Sequence, residues 1–271
     1  MSSTVVILAF VVAVAAAARS TWSPCGQSML SQITPIGEAS RGHRYRITAT
    51  WYVVGAIVGG ATLGGAIALM AFIVHALALS VTTVLVLAAI AAAVGAVVDS
   101  GMLGVAPPFL LRQVNEYWLN KYRAYIYALG FGWQIGAGVT TYIMTTAVLV
   151  TIALGALSAS PLVALAVGVW FGFVRGMTVW LSARATTPAR LGALHRRFDA
   201  LGEPFRRGVI AVQLAAAVVA LGVALGPLAL VAGAVVASAL AVAVLRGLIR
   251  PPGPSAAPTR AVTSLHRAVE A

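Results

Sequence analysis

The sequence predicts an all-α, polytopic membrane protein of about seven transmembrane helices, within a range of six to eight, built on an internal duplication with proline-broken segments. Three observations lead there. The 271 residues are 61% hydrophobic and only 9% charged, with a mean hydropathy of +0.97, whereas soluble domains carry about 25% charged residues. The apolar runs are of bilayer length, and helices satisfy their own backbone in lipid. The 18 Lys+Arg outnumber the 6 Asp+Glu and gather between the apolar runs, as in loops held on the cytoplasmic side of a membrane. That placement accounts for a net charge of +12 with no nucleic acid as partner. A bacterial cell-membrane protein with a cytoplasmic C-terminus follows.

The elements come in this order. The first apolar run, residues 4–18, lacks the Lys or Arg that opens a cleaved signal peptide and reads as a retained helix. A polar segment follows, broken by Pro24 and Pro35. Residues 47–98 are long enough for two crossings that turn near 75–82, and Asp99 closes them. A second broken segment holds Pro107 and Pro108. Residues 124–183 give two more crossings, turning near 155–161, and a last hairpin turns at Gly226-Pro227. The division is therefore 1–103, a first repeat with an N-terminal helix; 104–183, a second repeat; 184–207, a basic amphipathic cytoplasmic helix; 208–246, a C-terminal transmembrane hairpin; and 247–271, a Pro-rich flexible tail.

The repeat rests on a shift of 77 residues (44 to 121), which lays Arg44-Tyr45-Arg46 on Lys121-Tyr122-Arg123, Gly55 on Gly132 and Gly59 on Gly136. Gly55-x3-Gly59 and Gly132-x3-Gly136 each strip one helix face of side chains, so that another helix can pack against the backbone. Net charges of +2 over 36–46, +2 over 112–123, +4 over 184–207 and +3 over 246–271 all favour the cytoplasm. They are reconciled if the segments around Pro24 and Pro107 do not cross.

Residues 184–207 read as one amphipathic helix. Thr187 caps it and Pro188 starts it. Leu191, Leu194, Phe198, Leu201 and Phe205 recur at spacings of three and four, with Arg190, Arg196, Arg197, Arg206 and Arg207 on other faces. Such a helix lies on anionic lipid, or docks a cytoplasmic partner.

Few residues are equipped for chemistry. One cysteine excludes an internal disulfide and a thiolate zinc site, and four scattered histidines form no metal motif. No phosphate loop, nucleophile elbow or carboxylate pair is present, so no cofactor, hydrolase or ATPase is expected. Cys25 follows Pro24 in the first turn of a helical segment, where free N–H groups lower a thiol pKa. It is the catalytic candidate, and the alternative is a small packing residue. Arg175 lies within an apolar helix, where an arginine costs about 2.5–3.5 kcal/mol on insertion scales. It marks a site, or snorkels to the headgroups. The repeat alignment brings Asp99 within one position of it and suggests an Asp99–Arg175 pair. His75 reads as an interfacial or proton-handling residue. Gln134, Thr140 and Thr141 line a polar path or join helices.

The stretch Ser23-Pro24-Cys25, with Pro35 ten residues on, resembles the first-helix motif of the cytochrome c biogenesis protein CcdA and the transmembrane domain of DsbD. The resemblance covers residues 4–183. It implies two inverted three-helix repeats and a passage of electrons across the membrane through a pair of cysteines. Pro107 and Pro108 occupy the expected place in the second repeat, but Pro108 or Phe109 stands where that family has its second cysteine. Three functions follow: a carrier or conduit for a small solute or reducing equivalents, with Pro24, Pro35, Pro107, Pro108, Asp99 and Arg175 along its path; a non-catalytic subunit of a membrane complex; or a single-thiol redox protein that meets a thiol partner.

Overall fold

The structure, a computed structural model, describes residues 2–102 and 122–245. Pro107, Pro108, the tail 247–271 and the first part of the second repeat lie outside the described residues. Among the described residues every regular element is helical: α1 (Ser3–Ser20), α2 (Pro24–Gln32), α3 (Pro35–Ser40), α4 (Tyr45–Ala76), α5 (Val81–Ser100), α6 (Ala124–Gly136), α7 (Ala147–Leu157), α8 (Pro161–Met177), a 3-10 segment (Thr178–Arg184), α9 (Pro188–Leu225) and α10 (Pro227–Leu245). Five stretches are long and apolar enough to cross a membrane: Ser3–Ser20, Tyr45–Ala76, Val81–Ser100, Pro161–Arg184 and Pro188–Leu225. The chain is a polytopic helical membrane protein. The helix starts are written locally. Ser23, Thr34, Ser80, Ser160 and Thr187 each accept a hydrogen bond from an amide of the first turn, and α2, α3, α8 and α9 open on proline. These are the residues that satisfy, or do without, the N–H groups a helix start leaves unpaired.

α4 is the axis of the bundle. A methyl group added at Gly55 would lie 2.1 Å from the Leu129 carbonyl oxygen, and one at Gly59 would lie 2.1 Å from that of Trp133. The reverse contacts match: Gly132 against Tyr52 at 2.1 Å, Gly136 against Ala56 at 2.0 Å. α4 and α6 therefore run parallel, backbone on backbone. Leu129 and Trp133 are the 77-residue counterparts of Tyr52 and Ala56, so each contact is the shifted image of the other. Inverted copies would run in opposite directions. On its other side α4 meets α8 antiparallel, with Gly60 and Gly64 against Leu165, Gly168 and Gly172. α1 packs on α7, α8 and α9, and α5 packs on α7 and α9.

Two segments depart from simple crossings. Between α1 and α4 the chain makes only α2 and α3, of 9 and 6 residues. At 1.5 Å per residue these reach about 14 and 9 Å, short of a ~30 Å core. The chain enters and leaves them at the same end of the bundle. α6 also stops early. It turns at Gly138 (φ 69) against Leu63 and Phe171, then doubles back through residues 139–146 to the end of α5 before α7 begins. The expected boundary at 207/208 falls inside a continuous helix: α9 runs from Pro188 to Leu225 with Pro204 within it. The basic amphipathic stretch and the next crossing are one rod, and Trp22 packs against its first half at Phe198 and Phe205.

Every Arg, Asp and Glu among the described residues lies toward one end of the bundle, where α1, α5 and α8 finish and α4, α6 and α9 start. The turns at the opposite end, 77–80, 158–160 and Gly226, carry none.

Candidate functional site

Cys25 stands in the first turn of α2 with 2% of its surface exposed, packed among Met29, Leu30, Tyr52, Phe131 and Ile135. Ser23 and Pro24 set its position, since the Ser23 hydroxyl accepts the Gly26 amide at 3.2 Å. A Cβ on Gly26 would lie 2.2 Å from the Thr21 carbonyl oxygen, so only glycine lets α2 fold this tightly onto the end of α1.

Arg175 reaches the same region from α8. It is 1% exposed and does not snorkel. Its Nη1 donates to the Ile135 carbonyl at 2.7 Å, and its guanidinium lies 5.9 Å from the Phe171 ring centroid. The reason is the broken helix. α6 ends inside the bundle, where the Ile135 carbonyl has only the turn bond from the Gly138 amide at 3.2 Å and the helix dipole is negative. Arg175 caps that end from a neighbouring helix, and the Thr140 hydroxyl caps it at the Gln134 carbonyl at 2.7 Å. One bond does not satisfy a guanidinium. Nε and Nη2 of Arg175 have no partner, and neither does the hydroxyl of Tyr52, which is fully buried. Cys25 and Tyr52 are buried in one cluster with Ile135, whose carbonyl Arg175 binds. An orphaned buried donor costs about 1–3 kcal/mol, more when charged. This arrangement is chemically disposed toward a small anion or a thiolate.

Asp99 is elsewhere, and the expected Asp99–Arg175 pair does not form. At the end of α5, Asp99 accepts the Thr145 hydroxyl at 2.5 Å, the Thr146 amide at 2.8 Å and the Gln213 side-chain amide at 2.8 Å. It thus holds the start of α7, where a carboxylate meets free N–H groups. Arg206 donates to the Asp99 backbone carbonyl at 2.9 Å and binds Glu203, which also takes Arg207 at 2.9 Å. Like the Arg19 guanidinium, 5.9 Å over Trp22, these groups tie helix ends together. Two of the five arginines read as a lipid-facing set are thereby engaged within the protein. Arg190 bonds the Thr186 hydroxyl at 3.0 Å, and Arg196 and Arg197 are exposed.

Among the remaining expected residues, Pro35 opens α3, His75 is exposed in the last turn of α4 and Thr141 is buried without a partner for its hydroxyl. Sequence reasoning missed the cluster around Glu38. This carboxylate is fully buried and accepts Tyr127 at 2.7 Å on both oxygens, Thr48 at 2.6 Å and Arg41 at 2.8 Å. Its signal was available: one of only six acids, set between two apolar runs. Tyr52 gave no comparable signal, because an aromatic in an apolar run reads as packing. Among the described residues no cluster of His, Cys, Asp or Glu suits a metal ion.

Two known proteins are similar to this chain. One is the methylamine utilization protein MauF of Methylophilus methylotrophus, 32% identical over 142 residues, covering 52% of this chain and 48% of that protein. The other is MauF of Methylobacillus flagellatus, 29% identical over 140 residues, covering 51% and 49%. No family model and no solved structure matches. The chain spans about half the length of the curated relatives it matches, and it shares that half with proteins named for methylamine utilization.

Proposed function

We propose that this chain is a membrane carrier or conduit for a small anionic or thiol-bearing solute, or for reducing equivalents, with Cys25, Tyr52 and Arg175 at its centre, and that it serves methylamine utilization as its relatives' names indicate. One observation carries the reading: a buried arginine with two unpartnered donors, bonded to a carbonyl of the cluster that buries Cys25, at the end of a helix interrupted inside the bundle. Interrupted helices place such groups at the binding centres of membrane carriers. The charge asymmetry supports a topology with the Arg-rich end in the cytoplasm. The reciprocal α4–α6 contacts support an internal duplication whose copies of this helix are parallel. The complex-subunit reading loses its glycine faces, because Gly55, Gly59, Gly132 and Gly136 are all occupied within the chain, and keeps the basic helix as a contact. A single-thiol exchange reading requires the bundle to open, since Cys25 is buried.

The test uses a methylamine-utilizing host lacking its own relative. The full chain is expected to restore growth on methylamine. Arg175→Met, Cys25→Ser and Tyr52→Phe are expected to lose that growth at equal membrane levels, while growth on other carbon sources is unchanged. Full growth with Arg175→Met and Cys25→Ser would reduce the cluster to packing and remove the proposal.

A further inference from the structure

The basic face of α9 holds a second feature, independent of the Cys25 centre. A groove of about 650 Å³ lies between the 3-10 segment and the start of α9, lined by Leu181, Arg184, Arg190, Leu194 and Arg197 with two alanines. Arg190 and Arg197 are seven residues apart and so share one face of α9, with Leu194 between them. Arg184 closes the groove from the other wall. No carboxylate lines it. The ion pairs among the described residues use Arg41, Arg206 and Arg207, which leaves the three groove arginines exposed and without a counter-charge.

Both walls are fixed without a ligand. The 3-10 segment is held by the Tyr45 hydroxyl donating to the Val179 carbonyl at 2.8 Å and by the Ser182 hydroxyl donating to the Ile33 carbonyl at 2.7 Å. The start of α9 is held by Trp22, whose Nε1 donates to the Phe198 carbonyl at 2.8 Å and whose ring stacks on Phe198 at 4.2 Å. The Ser31 hydroxyl and His195 Nε2, 3.1 Å apart, add a second tie. Three like charges on rigid walls repel one another until an anion enters.

We propose that this groove is a binding site for the phosphate of an anionic phospholipid. Arginine forks match phosphate oxygens in geometry as well as charge. A lipid is favoured over a free phosphate by what lies beside the groove: Leu181, Met177 and Trp170, which are 53%, 42% and 39% exposed, form an apolar stripe one helix face wide. It runs from the arginines along α8 toward the uncharged end and receives an acyl chain while the headgroup stays at the interface.

The purified full chain would be titrated with phosphatidylglycerol and with phosphatidylcholine, and bound lipid counted by native mass spectrometry. Phosphatidylglycerol is expected to bind about ten-fold more tightly, the size of one charge-assisted hydrogen bond. Arg197→Gln is expected to lower that affinity about ten-fold, and the adjacent Arg196→Gln, outside the groove, to change it less than about three-fold, as a screened surface charge does. Equal affinity for the two lipids would overturn the site. Equal losses from the two variants would replace it with a diffuse field. Displacement of phosphatidylglycerol by millimolar inorganic phosphate would assign the groove to a soluble phosphate and overturn the lipid.

Discussion

Gly59→Ala tests the geometry on which the whole bundle rests. The new methyl carbon would lie 2.1 Å from the Trp133 carbonyl oxygen and 2.7 Å from the Ala137 amide nitrogen. Ordinary contact begins at 3.4 Å, so α4 and α6 must separate by 3.4 − 2.1 = 1.3 Å. Both obstructing groups are backbone, and no side chain can turn aside. The same separation undoes the contacts of Gly55, Gly132 and Gly136, and it moves the Ile135 carbonyl away from Arg175. Overpacking costs about 1–3 kcal/mol, and a backbone clash belongs at the top of that range. Alanine returns about 1 kcal/mol of helix propensity. The net loss is about 2 kcal/mol, or roughly a 30-fold change in the folded-to-unfolded ratio. Gly65→Ala is the control on the same helix. A methyl there meets nothing within 4 Å and should gain up to about 1 kcal/mol. Unfolding by sodium dodecyl sulfate in mixed micelles, followed by tryptophan fluorescence, reads both. Coincident midpoints for the two variants would falsify the backbone-on-backbone contact.

Three further outcomes are expected. Cys25, being 2% exposed, should resist membrane-impermeant maleimides from either side until the protein unfolds; rapid native labelling would show an open path to the thiol. Asp99→Asn should lower stability by about 2 kcal/mol, since it faces the Gln213 donor with a second donor and removes a charge from three hydrogen bonds; an unchanged unfolding midpoint would mean that the carboxylate does not hold α7. Trp22→Ala removes the stack on Phe198 and the bond to its carbonyl. Residues 188–207 should then exchange amide hydrogens at least about ten-fold faster, as expected when more than ~1.4 kcal/mol of anchoring is lost, and unchanged exchange would place the anchor elsewhere.

Much of the architecture was legible because membrane helices are written in a coarse alphabet. Apolar length and flanking arginines identify a crossing whatever it packs against, and Ser23, Thr34, Ser80, Ser160 and Thr187 mark helix starts by local chemistry alone. The interruption between Gly136 and Ala147 was not legible. Residues 124–157 are apolar nearly throughout, and nothing in a run of Gly, Thr, Ile and Val tells a crossing from a half-helix that turns back.

By itself, the sequence determined a polytopic helical membrane protein, its charge asymmetry, its hairpin turns and the glycine faces available for close packing, because each depends on composition or on neighbours a few residues apart. Only the tertiary structure decided which polar groups meet. Asp99 and Arg175 are opposite charges that alignment placed together, yet one holds the start of α7 and the other the end of α6. Cys25, Tyr52 and Arg175 are separated by 27 and 123 residues (52 − 25; 175 − 52) and share an interior because α2 folds back on α1 while α4 and α8 pack through glycine. Burial makes each partner's identity costly to get wrong, but the partners are chosen by how helices pack, and that information is spread across the whole chain.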